Sequence, residues 1–256
     1  FKNLTFRFPK LIMAKPQFLI LILMCAFMYI SCNPVYQATT VEYKGYSVMN
    51  MRTDSSVQKM LKPYKDSMVT GMSLVVATLE KDLEKNQPEC TLGNFMADAI
   101  YTMAQKKYGI IPDAAFMNYG GIRLPSIKAG IITRGKIYEL FPFDNILVLV
   151  KIKGSILQQF LDHISSRGGW PVAGITMQIR DKKAINVMIG GVKIDTDKEY
   201  IIAIGDYTAN GGDDATMLKG LPQINNGYLM RDALLDYASS LKTINVQLEK
   251  RVRNVE

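Results

Sequence analysis

The chain has 256 residues, 48% of them hydrophobic and 21% charged, with 10 prolines and 19 glycines. That usage excludes disorder, a collagen repeat and a polytopic membrane protein. The net charge of +8 falls to +4 once Lys2, Arg7, Lys10 and Lys15, which precede Cys32 with no acid among them, are set aside. What remains is spread along the chain, too diffuse for a nucleic-acid groove, and a single histidine, His163, argues against a His-rich metal centre or a Ser-His-Asp arrangement built from this chain alone.

Phe18 to Ile30 (FLILILMCAFMYI) is an apolar run shorter than the roughly 20 residues that span a bilayer core. Lys15 precedes it and Ser31-Cys32-Asn33-Pro34 follows. A positive n-region, a short apolar core and a small residue at the cleavage site read as a secretory signal over residues 1–31. Met13 opens a leader of ordinary length, so the expected start lies there, with residues 1–12 upstream of it. Cys32 directly after Ser31 resembles the lipobox of bacterial lipoproteins, whose cysteine is lipidated and becomes the new N-terminus, although Tyr29 stands where a leucine is usual. The alternative is a secreted protein with an unmodified cysteine. Cys25 lies within the apolar run, and only Cys90 would accompany Cys32 in the mature chain, so no internal disulfide framework is expected. Residues 32–52 then read as a lipidated N-terminus and polar tether, and residues 53–256 as one folded domain.

Asp54 is placed to cap a helix whose apolar positions Val57, Met60, Leu61 and Tyr64 recur at helical spacing, with Pro63 inside the pattern as a point of termination or kinking. Ser73 to Leu79 is a β-type run. Leu92 to Tyr108 predicts a second helix, with Leu92, Phe95, Met96, Ala99, Ile100 and Met103 on one face and Gly109 as its C-cap. A short apolar strand, Ala114 to Met117, runs into Asn118-Tyr119-Gly120-Gly121-Ile122-Arg123. Ile146 to Ile152 reads as a buried strand that leads into a helix from Ser155 to Ser166. Three β-like runs follow at 174–180, 184–189 and 199–205, the last opening into the loop Asp206 to Asp214. An amphipathic helix, Leu229 to Leu241, closes the chain. Interleaved helices and strands with both long and hairpin-like connections predict an α+β (mixed α/β) fold.

Three loops hold residues that make poor filler. In Asn118 to Arg123, the adjacent Gly120 and Gly121 permit positive φ and close backbone approach to a ligand. Arg123 offers a planar fork for a carboxylate or phosphate, though the same pattern occurs in plain turns. In Phe141-Pro142-Phe143-Asp144-Asn145 the proline fixes φ and orients Phe143 stiffly, which suits a core plug or a stacking face for a flat ligand. In Tyr207 to Asp214, Gly211-Gly212 makes a sharp turn able to present Asp213 to sugar hydroxyls; the plainer reading is a solvated strand-to-loop turn. Together, two aromatics to sandwich a base, an arginine for negative charge and an aspartate for a ribose diol describe a nucleoside-type pocket. Trp170 reads as core packing or support behind the pocket rather than a lid. Cys90, without a partner base, reads as a buried position and not a nucleophile. His163, on the polar flank of an apolar stripe, reads as a surface or helix-end residue.

NYGGIR (118–123), ELFPFDN (139–145), LVKIKG (149–154) and YTANGGDD (207–214) resemble the C-terminal domain of the 5'-nucleotidase family. Glu89-Cys90-Thr91-Leu92-Gly93-Asn94, followed by Ala97-Asp98-Ala99, resembles that domain's opening, so the resemblance runs over roughly residues 53 to 255. It implies a domain that binds the base and sugar of a nucleotide, while a separate metallophosphoesterase domain carries two metal ions; that domain's several histidines and GNH-type motif have no counterpart in these 256 residues. By motif it implies Phe143 and Tyr207 as the rings about the base, Tyr207 replacing a usual phenylalanine. Asn118 and Arg123 would reach the base, ribose or phosphate side, Asn145 a base edge, and Asp213 would accept the ribose hydroxyls. The family often has an arginine just before the Glu89 position. Here Gln87 and Pro88 stand there and Lys85 is the nearest cation, which implies weaker phosphate-side affinity or a charge supplied by a partner.

The resemblance therefore implies the nucleotide- or nucleoside-recognition part of a 5'-nucleotidase-type phosphohydrolase that acts in nucleotide catabolism with a separate metallophosphatase chain. No catalytic residue, metal ligand or cofactor is expected here, and the divalent metal pair is expected only in that partner. The lipid anchor on Cys32 would hold the exported protein at a membrane, periplasmic or on the cell surface, with no nucleic-acid partner. Two alternatives stay open: a non-catalytic nucleoside- or nucleotide-binding surface lipoprotein, and a domain with a decayed pocket.

Overall fold

The computed structural model describes residues 54–256; the signal, the lipidated cysteine and the tether expected before them lie outside the described residues. The chain first forms α1 (Ser55–Met72), β1 (Val75–Leu79), β2 (Leu83–Glu84), α2 (Thr91–Tyr108), β3 (Ala114–Phe116), β4 (Ser126–Ile127), β5 (Gly130–Thr133) and α3 (Arg134–Leu140). It continues with β6 (Leu147–Lys153), α4 (Gly154–Ser166), β7 (Val172–Ala173), β8 (Ile175–Arg180), β9 (Lys183–Ile189), β10 (Val192–Lys193) and β11 (Glu199–Gly205). The last elements are α5 (Asp206–Ala209), β12 (Gln223–Ile224), α6 (Met230–Leu241), β13 (Thr243–Ile244) and β14 (Val252–Asn254). The α+β expectation holds.

A five-stranded sheet, order β12-β6-β11-β3-β7, forms the centre. Successive strand residues point to opposite faces, and both faces are covered. Leu147, Leu149, Ala115 and Ala203 face the core under α2 and α6, whereas Val148, Val150, Phe116, Ile202 and Ile204 face the core under α4. Burial on both sides explains why β6 and β11 read as near-continuous apolar runs rather than as alternating ones. The first core also takes in the three-stranded sheet β13-β1-β5, and the second packs on the four-stranded sheet β10-β9-β8-β14.

The helix ends follow local chemistry. The Asp54 carboxylate accepts from the Ser56 and Val57 amides (2.8 and 3.3 Å), capping α1. Gly109 closes α2 at φ +66°, a left-handed conformation that favours glycine. Of the two outcomes open for Pro63, termination does not occur: α1 runs on to Met72. A further helix, α3, also stands where none was expected, because its seven residues are too few to show a period.

The Glu89 and Asp98 motif residues hold the C-terminus in place. Glu89 accepts from the Asn94 side chain and from the Glu249 and Arg251 amides at 2.8–3.0 Å. The buried Arg251 guanidinium donates to both Asp98 oxygens (2.7 and 2.9 Å) and to the Val172 carbonyl (2.9 Å). Burial pushes the Asp98 carboxyl above the usual carboxylate range, and the bonds from Arg251 oppose that push. Cys90 is buried and its sulfur accepts from the Gly93 amide at the start of α2.

Candidate functional site

The register of the central sheet brings three distant loops to one edge. β11 runs parallel to β3 and antiparallel to β6, with Gly205 opposite Leu147. The C-terminal ends of β3 and β11 and the start of β6 therefore lie side by side. The loops after β3, before β6 and after β11 are the three that carry the nucleoside-like residues, and they enclose a cavity of about 350 Å³.

Asn118, Gly120, Gly121, Arg123, Phe143, Asn145, Tyr207 and Asp213 all line this cavity, joined by Phe141. Every residue singled out as a ligand contact is thus brought to one place. Larger hollows exist: those of about 520 and 630 Å³ have no aromatic ring in their lining, and those of about 440 and 380 Å³ have only tyrosines, and none of the four is lined by any residue of the three loops. The site is distinguished by convergence of apolar rings and a few placed polar groups, the usual make-up of a small-molecule site.

One wall grows out of the core. Phe141 is buried, and its ring meets Phe143 edge-on, centroids 5.3 Å apart at 74°. Phe143 is half-buried, and its carbonyl accepts from Arg231 Nη1 at 3.1 Å while Arg231 Nη2 donates to Asp144 at 2.5 Å. Arg231, on α6, is itself buried and lies 4.2 Å over the Tyr138 ring. The exposed Arg123 guanidinium sits 4.9 Å over the Phe143 ring. Asn145 donates to Asp206 at 3.3 Å. Gly121 is required where it stands: a Cβ there would fall 2.6 Å from Asn118 Oδ1.

The opposite wall is polar. Tyr207 is about half exposed, and Asp213 sits in the left-handed region at φ +51°, followed by Asp214 at φ +60°. Such non-glycine positions store strain and persist only where surroundings hold them. Here Asn118 Nδ2 donates to Asp213 Oδ2 at 2.8 Å, the Tyr207 hydroxyl meets Oδ1 at 3.3 Å, and His163 Nε2 meets the Asp213 carbonyl at 2.9 Å. Because a carbonyl only accepts, Nε2 must carry the proton. His163 is a helix-end residue, as expected, in the last turn of α4, but it is half-buried rather than a plain surface group: it stands edge-on to the buried Trp170 and braces the loop that carries Asp213. Trp170 packs in the core, as expected. Arg167 pairs with Asp214 at 2.5 Å.

Lys85, the cation nearest the position where the family often has an arginine, is not among the residues that line the cavity. Its Nζ donates to the Ile122 carbonyl at 2.8 Å and lies 4.2 Å over the Tyr119 ring. Burial, with the nearby Arg123 charge acting in the same direction, holds its ammonium below the ordinary lysine range. Burial likewise raises the Tyr119 phenol. Among the described residues, no three His, Cys, Asp or Glu side chains group as metal ligands. A dimetal centre does not fit the donors present, and no ester-cleaving step is assigned to them. Sequence reasoning missed the braces Arg231 and His163. Their partners lie 88 and 50 residues away, and no spacing signal links such pairs.

Comparison with known proteins agrees with this geometry. The profile of the family described as 5'-nucleotidase, C-terminal domain, matches residues 75–220, more than half of the chain. A 5'-nucleotidase of Vibrio cholerae is 29% identical over 232 residues, covering 83% of this chain and 40% of its own. One from Vibrio vulnificus is 27% identical over 229 residues, with the same coverage. The crystal structure of a 5'-nucleotidase precursor from Thermus thermophilus superposes with a TM-score of 0.70 at 27% identity, over 78% of this chain and 43% of that one. The chain thus spans about two fifths of the length of these relatives. With a fold, a motif order and a sequence profile in agreement, the chain belongs to the 5'-nucleotidase C-terminal domain family.

Proposed function

We propose that this chain is the nucleotide- or nucleoside-recognition component of a 5'-nucleotidase-type phosphohydrolase, acting with a separate metallophosphatase chain. The observation that carries the reading is the shared cavity in which Phe143 and Tyr207 meet Asn145, Asp213 and Arg123. Phe143 and Tyr207 are the rings for the base, Asn145 serves its edge, Asp213 takes the ribose hydroxyls, and Asn118 and Arg123 reach the base, ribose or phosphate side. The partner brings the divalent metal pair that activates water. On this reading the chain is exported and held at the membrane through lipidated Cys32; among the described residues no helix is long and apolar enough to cross a bilayer.

The test mixes the purified chain with a candidate metallophosphatase and divalent metal and follows phosphate release from AMP. The expected result is a rate well above that of the phosphatase alone. No gain at concentrations where the two chains associate defeats the partnership. AMP or adenosine binding by calorimetry without any partner would then leave the chain as a surface protein that captures nucleosides.

A further inference from the structure

Tyr207 brings more to the cavity than a ring. Its hydroxyl oxygen accepts from the Asp213 amide at 3.2 Å, and the hydroxyl donates to Asp213 Oδ1 at 3.3 Å. Gly212, between the two, allows this: a Cβ there would fall 2.5 Å from the Tyr207 ring. Asn118 holds the other carboxylate oxygen at 2.8 Å. The carboxylate is thus gripped once on each oxygen, on a backbone whose left-handed φ of +51° would relax if the grip were lost.

We infer that the Tyr207 hydroxyl is a positioning group that sets the Asp213 carboxylate to receive a vicinal diol, making this residue a determinant of selectivity for ribose-bearing ligands. An ionised carboxylate offers about four acceptor sites. Asn118 and Tyr207 occupy one on each oxygen, leaving one on each for the two adjacent hydroxyls of a ribose. A phenylalanine at this position keeps the stacking face and loses the grip. The inference rests on the nucleoside reading of the pocket, in which Asp213 takes the ribose hydroxyls, and adds the group that sets its carboxylate.

The test compares adenosine with 2',3'-dideoxyadenosine by calorimetry, on the wild-type chain and on Tyr207→Phe. The wild type is expected to prefer adenosine. In Tyr207→Phe that preference is expected to shrink about fivefold to tenfold, the scale of one ordinary net hydrogen bond. Affinity for the dideoxynucleoside should move less than twofold, which also shows that the variant is folded and its ring in place. Asp213→Asn should shrink the preference in the same direction. A Tyr207→Phe variant that keeps the full preference, while Asp213→Asn loses it, overturns the inference and leaves the nucleoside reading standing. A wild type that binds neither compound overturns both.

Discussion

The wall that carries Phe141 and Phe143 is continuous with the core under α2 and α6, whereas on the opposite wall Tyr207, about half exposed, and Asp213 belong to neither core cluster. The first is held by apolar burial and one buried arginine. The second is held by hydrogen bonds to a strained turn. The difference teaches where each kind of error would show: damage at the buried base of the first wall costs mainly folding stability, and damage at its exposed tip or to the second wall costs mainly ligand geometry. Substitutions can break or sharpen that contrast.

The largest effect is expected from Phe141→Ala, which removes a ring only 1% exposed and should cost about 3–5 kcal/mol of folding stability, read by urea denaturation. Phe143→Ala, two residues on and half-buried, should cost much less stability. It should instead lose about 1–3 kcal/mol of adenosine affinity, the usual worth of one stacked base. Equal stability losses in the two variants would show that Phe143 is core and not a stacking face.

Arg231→Met comes next. It keeps an apolar stem over Tyr138 but strips the Phe143 carbonyl and Asp144 of their donor. A buried acceptor left without its partner costs about 1–3 kcal/mol. Adenosine affinity should fall with stability here, because the same bond aims Phe143. Stability lost with affinity intact would mean that Pro142 alone fixes the ring.

Much of this was legible in the sequence, for physical reasons. The helix expected over Leu92 to Tyr108 and the strand expected over 199–205 occur at Thr91–Tyr108 and Glu199–Gly205, because long apolar periods and a glycine cap are local signals. The eight cavity residues were legible as loop clusters that made poor filler. Periodicity was silent about what covers a stripe. α1 and α2 are both 18 residues long, yet ten residues of α2 are buried and none of α1, where Met60, Leu61, Tyr64 and Met68 stand exposed. Two-residue strands such as β2 and β4 carry no period at all. The braces were illegible because a histidine that donates to a backbone carbonyl needs no partner side chain in the sequence.

The smallest effects should separate the supports of the polar wall. His163→Leu removes the donor to the Asp213 carbonyl. It should weaken adenosine binding severalfold and cost about 1 kcal/mol of stability, one neutral hydrogen bond. Arg167→Ala removes the pair with Asp214, whose side chain is 84% exposed. A solvated pair of that kind is worth roughly 0–1 kcal/mol, and adenosine affinity should stay within about twofold, a change of under half a kcal/mol. An Arg167 effect as large as that of His163 would mean that Asp213 and Asp214 move as one strained unit, and that the wall is held at both residues rather than at Asp213 alone.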